Sequence, residues 1–574
     1  MISPESNNIN RNEISTKSEM LKLLFPEKLH SIEELDLLYP PRNLPENSIV
    51  TRVAPSPTGF MHIGGLYTGL ISERIAHQSP AGVFYLRVED TDRAREVKGA
   101  TELIISSFET YGIDLDEGPN ITGDRQDVGE YGPYIQSERE KIYKSVVKNL
   151  VEKGLAYPCF CSSGELEEIR KKQEDLKIKP GYYGEWAKWR NASKNEVFQR
   201  LSKGDKCVIR IKSKGKSDGR FVFDDAIKGK KELPENDQDI VILKSDGLPT
   251  YHFAHAVDDH FMDTTHVIRA DEWFSSCPIH VELFNMLGWK LPVYGHIAPI
   301  QKMDGESKRK LSKRKDPEAS IVYYDTEGYP REAIIEYMLN LANSNFEDWR
   351  RTNADKSYKD FPFSLKKLGQ SAGPLFDANK LRNISKDVIS KMSADEIYSR
   401  SFDWALEHDK ELSQLMDENR EYIIEILNIE RVGTSKIRKD IETWSDIRKE
   451  VSYFFKNLFF ISDQEIRDLL PGTDMNVAKK IAQDFRVLYD SNDSKEAWFE
   501  KLKRVAVQNG YSPSPKEYKN NPGASLGQIS DVAKIFRVLL AGRVNTPDLH
   551  SIMRVLGLDE SIRRLNRIEQ IKYE

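Results

Sequence analysis

Two short segments hold the residues best suited to chemistry. Arg52-Val-Ala-Pro-Ser-Pro-Thr-Gly-Phe-Met-His-Ile-Gly-Gly65 runs from an apolar strand through a Pro/Gly turn into the start of a helix. A helix N-terminus offers unpaired N–H groups and the positive end of its dipole, which favours a phosphate. There His62 can hydrogen-bond a nucleotide phosphate, and Gly64 and Gly65 let base and ribose approach the backbone. Alone, His-x-Gly is an ordinary helix start. The strand before it, the helix after it and a matching basic segment lift the functional reading. That basic segment is Lys310-Leu-Ser-Lys-Arg314, within 302–315, where seven basic residues face two acidic ones. As a bare charge run it would be a solvated face. Paired with the His62 turn, Lys310, Ser312 and Lys313 make a flexible cationic lid, whose charge can stabilise a departing pyrophosphate.

The elements that must position these groups form an α/β pattern. Residues 49–54 read as a buried strand, 62–77 as a helix and 83–88 as a second strand, which is a parallel βαβ unit. Glu89-Asp-Thr-Asp92 follows at the carboxyl end of the second strand, where ligands bind in open α/β sheets. Residues 138–153 and 164–175 are helical in pattern, and 207–212 and 220–227 are strand-like. Residues 240–244 and 265–269 read as strands returning to the first sheet, so 135–238 is an insertion that splits it. From about 361 onward the pattern is helical. Leu549, Ile552, Met553 and Leu556 are spaced for one buried face, with Thr546 as the cap, Pro547 in the first turn and Gly557 as the stop.

Composition narrows the class. A chain of 574 residues exceeds a single core. With 39% hydrophobic and 31% charged residues it is a globular composition. No apolar run approaches the roughly 18–20 residues that span a bilayer, so no membrane association is expected. The first 20 residues lack the apolar stretch of a secretory signal, and Glu5, Glu13 and Glu19 argue against a transit peptide. Four cysteines make no disulfide framework and point to a reducing, cytoplasmic setting. A net charge of −6 excludes a uniformly basic nucleic-acid coat but leaves room for a polyanion on local patches.

The ordered motifs resemble those of bacterial-type glutamyl-tRNA synthetases. They are Ala54-Pro-Ser-Pro-Thr-Gly, His62-Ile-Gly-Gly, Val88-Glu-Asp-Thr-Asp92, Gly132-Pro-Tyr-Ile-Gln-Ser-Glu-Arg139, Leu248-Pro-Thr-Tyr-His252, Asp258-Asp-His260, Ile268-Arg-Ala-Asp-Glu-Trp273 and Lys310-Leu-Ser-Lys-Arg314. The resemblance is strong over 49–340 and extends more weakly to the C-terminus. It implies a multidomain α/β fold: an N-terminal extension (1–48), a Rossmann-like catalytic domain (49–134 and 239–288) split by an acceptor-end-binding insertion (135–238), a stem-contact region with the basic loop (289–360) and an all-α anticodon-binding region (361–574). It implies ATP-dependent attachment of L-glutamate to tRNA-Glu through a glutamyl-adenylate, with Mg2+ on the ATP. A cytoplasmic monomer is expected.

Residue by residue, the resemblance assigns Arg52, Tyr251, His255 and Arg269, with Ser56 and Glu89 near the ammonium group, to glutamate. Trp273 would close the site. Guanidinium forks suit carboxylates, and a carboxylate suits an ammonium group. His62, Gly64, Gly65, Lys310, Ser312 and Lys313 would hold ATP. Gly65 stands where the general class I motif has a second His, leaving His62 as its only imidazole. Some relatives bind zinc through Cys-x-Cys and a further Cys. Here Cys159-Phe-Cys161 is followed by Tyr182-Tyr-Gly-Glu-Trp-Ala-Lys-Trp189, so no structural zinc is expected. Arg537, Arg543 and Arg554 are candidate anticodon contacts. The sequence leaves open whether tRNA-Gln is charged as well. A base-modifying relative, an inactive RNA-binding paralogue and a simple nucleotidyltransferase are weaker readings, given the long helical tail and the retained Arg52, His62, Lys310 and Lys313.

Overall fold

The computed structural model describes residues 17–120, 127–368, 373–434, 437–520 and 522–571. The first 16 positions of the expected N-terminal extension lie outside the described residues. The chain divides into two compact units, Met1–Val322 with Met338–Asp377, and Tyr323–Tyr337 with Ala378–Glu574.

In the first unit, strands β1 (Val50–Val53) and β2 (Val83–Leu86) pair in parallel, Val50 opposite Val83. Helix α1 (Ile63–His77) is their crossover. Every residue of β1 is buried, as befits a strand covered on both faces. The inserted segment contributes helix α2 (Glu140–Glu152), strands β3 (Ala156–Cys159) and β4 (Val208–Ile211), the hairpin of β5 (Arg220–Asp225) and β6 (Gly229–Pro234), and strand β7 (Val241–Leu243). Helix α3 (Tyr251–Phe261), strand β8 (His266–Ala270), helix α4 (Cys277–Leu287) and strand β9 (Val293–Ile297) follow. A second hairpin, β10 (Gln301–Asp304) and β11 (Ser307–Lys310), carries the basic segment.

Thr265 N–H donates to the Val50 carbonyl (3.1 Å), which lays the start of β8 beside β1. Residues 240–244 do not return to that sheet. Strand β7 pairs antiparallel with β4, Ile209 opposite Leu243, because Ile242 and Leu243 are drawn into the core that the insertion shares with α2. The hairpin does the reverse. It joins β9 at Asp225, opposite Tyr294, giving a sheet ordered β6-β5-β9-β8. At the N-terminus, residues 17–24 are helical and a capping box of Ser31 and Glu34 starts a further helix, Ile32–Leu38. Met20, Phe25 and Leu35 share a core with Tyr143, Leu150 and Phe261.

A buried cluster of charges ties these elements together. Asp259 on α3 accepts from Arg52 Nε (3.2 Å) on β1 and from Arg87 Nη1 (2.6 Å) just beyond β2. Asp258 accepts from Arg139 Nε (2.7 Å), Gln136 Nε2 (2.8 Å) and the Tyr143 hydroxyl (2.8 Å). Arg87 also donates to Glu89 (3.1 Å). Ions this deep persist only when paired and hydrogen-bonded. Burial alone would depress the Arg52 and Arg87 guanidinium pKa values, but the charge of Asp259 holds both above their ordinary value.

The second unit is helical, with no strand among the described residues. Its core includes Trp444, Phe485, Trp498 and Phe536. Helix α5 (Ile529–Ala541) ends at Gly542, whose φ of 68° lies in the left-handed region. In helix α6 (Leu549–Asn566), Leu549, Ile552, Met553 and Leu556 are buried as their spacing predicts. The cap is Asp548, which accepts from Ser551 N–H (3.0 Å), not Thr546, whose hydroxyl donates to the Pro547 carbonyl (2.8 Å). Gly557, with φ 78° and ψ 168°, leaves helical geometry and breaks this stretch into two helical runs, so the run that holds the four apolar residues stops where expected.

Asp259→Ala strands two guanidinium groups without their anion. It is expected to destabilise the first unit by about 3–5 kcal/mol, read from its unfolding transition in urea.

Candidate active site

Arg52 on β1, Glu89 just beyond β2 and Arg269 on β8 converge on one cavity of about 540 Å³ at the carboxyl ends of these parallel strands. Ser56, His62, Gly64, Gly65, Tyr251, Trp273 and Lys310 also line it. The β1-β2 sheet and the sheet that holds β8 turn their strand ends, and the N-terminus of α1, toward a single space.

His62 caps α1, and its Nδ1 accepts from Gly64 N–H (2.8 Å). That bond puts the ring proton on Nε2, where the group acts as a donor. Burial, and then the charges of Lys313 and Lys310, push its pKa down, so the ring is neutral; a hydrogen bond at the Leu311 backbone pulls the other way. A Cβ at Gly64 would lie 3.0 Å from His62 Nδ1, so glycine there keeps the imidazole in its capping position. At Gly65 a Cβ would make only an ordinary 3.6 Å contact with Met61, so the protein itself does not demand glycine at that position.

Arg52, Glu89, Tyr251 and Arg269 line the cavity together. Tyr251 opens α3, and its ring packs on Trp273 with centroids 4.3 Å apart. Burial pushes its phenol up to about 12, which keeps it a neutral donor. Burial likewise pushes the Glu89 carboxyl above its ordinary value, with Arg87 and Arg52 restraining the rise. His255, expected as a direct contact, does not line the cavity. It is fully buried one layer behind, 2.8 Å from the Tyr294 hydroxyl and 3.1 Å from Asp259. Burial, then the charges of Arg269 and Arg52, hold its imidazole well below the usual histidine range.

The basic segment is braced rather than loose. Lys310 ends β11 and forms an ion pair with Glu272. Lys313, outside the cavity wall, donates to the Phe60 carbonyl in the turn before His62. Asp316 accepts two bonds from Arg309 (2.6 and 2.8 Å) and one from Ser312 N–H (2.9 Å), so the Ser312 backbone serves the loop's own neck. These bonds with Arg309 hold the Asp316 carboxyl well below the usual carboxylate range.

Asp225, Asp258, Asp259, His280 and His296 are buried, do not line the cavity, and are not among the site residues expected from sequence. The available signal is the pair of consecutive carboxylates, Asp258 and Asp259, both buried on one helix. In the insertion, the Tyr182 hydroxyl lies 3.4 Å from both the Cys159 and Cys161 thiols. Two thiols beside a phenol that burial and the sulfurs keep protonated do not fit a zinc site. Of the three arginines proposed for the anticodon arm, Arg543 is committed to Glu450 through bonds of 2.7 and 2.9 Å. Arg537 is half-buried and Arg554 exposed.

This strand–turn–helix site on a parallel sheet is the architecture of a class I synthetase. The family model for the catalytic domain of class I tRNA synthetases (E and Q) matches residues 48–372, and an anticodon binding domain model matches 525–569. The glutamate–tRNA ligase of Clostridium perfringens (strain 13) is 48% identical over 95% of this chain and 98% of its own. That of Acetivibrio thermocellus is 47% identical over 96% and 99%. A crystal structure of a glutamate tRNA ligase from Elizabethkingia meningosepticum in complex with its amino acid is similar, with a TM-score of 0.71 and 28% identity over 92% of this chain and all of that one. The chain belongs to the glutamate–tRNA ligase family.

Two outcomes follow from these geometries. Glu89 titrates above the ordinary carboxylate range, so as pH falls it loses its charge earlier than a free side chain does. The KM for the amino acid is therefore expected to climb in mildly acidic solution, and Glu89→Gln to give a high KM without that climb, in initial rates across pH. Metal analysis of the purified protein is expected to find far less than one zinc per chain.

Proposed function

We propose that this enzyme attaches L-glutamate to the 3' end of tRNA-Glu in two steps on one site, using ATP with Mg2+. First, a glutamate α-carboxylate oxygen attacks the α-phosphorus of ATP in line; the bond to the bridging oxygen breaks and pyrophosphate leaves. A terminal hydroxyl of the tRNA then attacks the acyl carbon of glutamyl-adenylate, AMP departs with the bonding pair, and the hydroxyl proton passes to the departing phosphate or to solvent. The observation that carries this reading is the meeting of Arg52, Arg269 and Glu89 with His62 and Lys310 around one cavity. Two guanidinium groups and a carboxylate complement an amino acid with an extra negative charge, and the helix start beside them suits a triphosphate.

The side chains work by position and charge. Arg52 and Arg269 take the substrate's carboxylates, Ser56 and Glu89 its ammonium group, and Tyr251 and Trp273 close over it. His62 donates from Nε2 to a phosphate oxygen. Lys310 and Lys313 exchange their protein partners for the β- and γ-phosphates and neutralise charge that peaks as pyrophosphate leaves. Mg2+ carried by the ATP would add to that neutralisation. Glutamine would leave a buried guanidinium facing an amide, so discrimination is large without an editing site.

Lys313→Ala is expected to lower glutamate-dependent ATP–pyrophosphate exchange, with tRNA present, by about 100-fold at little cost in stability. Unchanged exchange would remove the lysine from the reaction. Charging of purified tRNA-Glu and tRNA-Gln, each alone, tests the overall reaction and sets its tRNA range.

A further inference from the structure

Arg269 is held from behind by a chain of hydrogen bonds with a defined direction. Its Nε–H donates to His296 Nε2 at 2.9 Å. The other ring nitrogen, Nδ1, lies 2.6 Å from Asp225 Oδ2. Neither Asp225 nor His296 lines the cavity, and both are buried, at 1% and 0% exposure. A carboxylate can only accept, so the His296 proton sits on Nδ1; the neutral ring then presents a lone pair at Nε2, as a guanidinium N–H requires. The opposite tautomer would set one N–H against another.

Asp225 is itself fixed. Its Oδ1 accepts from the backbone N–H groups of Ile227 (2.9 Å), Lys228 (2.8 Å) and His296 (3.3 Å). Burial pushes this carboxyl up, but the His296 bond and the backbone donors outweigh it and hold it ionised. Elsewhere on the guanidinium, Nη1 donates to His280 Nδ1 (3.2 Å) and Nη2 to the Trp273 carbonyl (3.1 Å). The plane of Arg269 is therefore set by several acceptors, and the only anion in the chain from His296 comes from the last residue of β5, in the inserted hairpin.

We propose that Asp225 and His296 are positioning residues for glutamate recognition: the carboxylate selects the Nδ1–H tautomer of His296, and that tautomer orients Arg269 to receive a substrate carboxylate. This rests on the assignment of Arg269 to glutamate and extends it to two residues that touch no substrate. The inserted segment thereby supplies part of the amino-acid specificity.

The chemistry of replacement makes the test specific. In Asp225→Asn, an amide whose oxygen keeps the backbone donors must turn its NH2 toward His296, which drives the ring to the wrong tautomer. His296→Gln keeps both functions, a carbonyl for Arg269 and an NH2 for Asp225. His296→Leu keeps bulk and loses both. Glutamate-dependent ATP–pyrophosphate exchange with saturating tRNA is measured for each variant, together with the melting temperature. Asp225→Asn and His296→Leu are expected to raise the glutamate KM by about tenfold or more, with kcat and the ATP KM within about threefold of wild type, while His296→Gln stays within about threefold throughout. The proposal is overturned if Asp225→Asn leaves the glutamate KM unchanged, if the ATP KM rises as much, or if His296→Gln is as impaired as Asp225→Asn. Should His296→Leu fail to fold, the Asn and Gln variants still decide. A wild-type protein with no glutamate-dependent exchange would sink the functional reading itself; an active wild type with unshifted variants would sink only the positioning role.

Discussion

The adjacent carboxylates of Asp258 and Asp259 are the constraint on which the catalytic unit depends. Consecutive residues of a helix point about 100° apart, so one short stretch of α3 reaches in two directions. Asp259 takes the arginines at the ends of β1 and β2, and Asp258 takes Arg139 before α2. Three segments far apart in sequence are thereby fixed to one helix turn. Arg52, which lines the cavity, is a member of this set, so the cavity wall and the framework share the same ions. Replacing them with apolar side chains of equal volume would spare the desolvation cost, but it would also remove a guanidinium from the cavity wall.

The parts of the cavity proposed for the amino acid and for the nucleotide are supported differently. Behind Arg52 and Arg269 lie buried, directional contacts with few ways to rearrange. Around the phosphate side the partners are backbone carbonyls and exposed carboxylates at the ends of long flexible side chains. A rigid recognition surface beside an adjustable cationic one fits a reaction whose acid substrate stays put while a charged leaving group departs.

Much of this was legible in the sequence where the chemistry is local. The His62 turn is a contiguous strand–turn–helix, so its residues declare both their structure and their place at the cavity. Glu89 was legible because a carboxylate at a strand's carboxyl end has few structural reasons to be there. His255 was misplaced by one layer: it follows Tyr251 by one helical turn, which shares its face but lies about 6 Å further along the axis and into the core. Strand β7 was assigned to the wrong sheet because alternation and burial identify a strand without naming its partner. Asp225 and His296 were invisible because they are 71 residues apart. An aspartate at the end of a basic hairpin looks solvated until the hairpin docks on β9.

The docked state of the basic loop bears on nucleotide affinity. Lys310 and Lys313 already have oxygen partners in Glu272 and the Phe60 carbonyl, and the His62 ring meets the backbone at Leu311. In the proposed reaction ATP therefore exchanges one set of acceptors for another instead of filling bare charges. Its net affinity is a difference between two similar sums, which keeps ground-state binding modest however many cations surround the triphosphate. Departure of pyrophosphate is eased by the same symmetry, because the lysines it leaves have acceptors waiting within the protein.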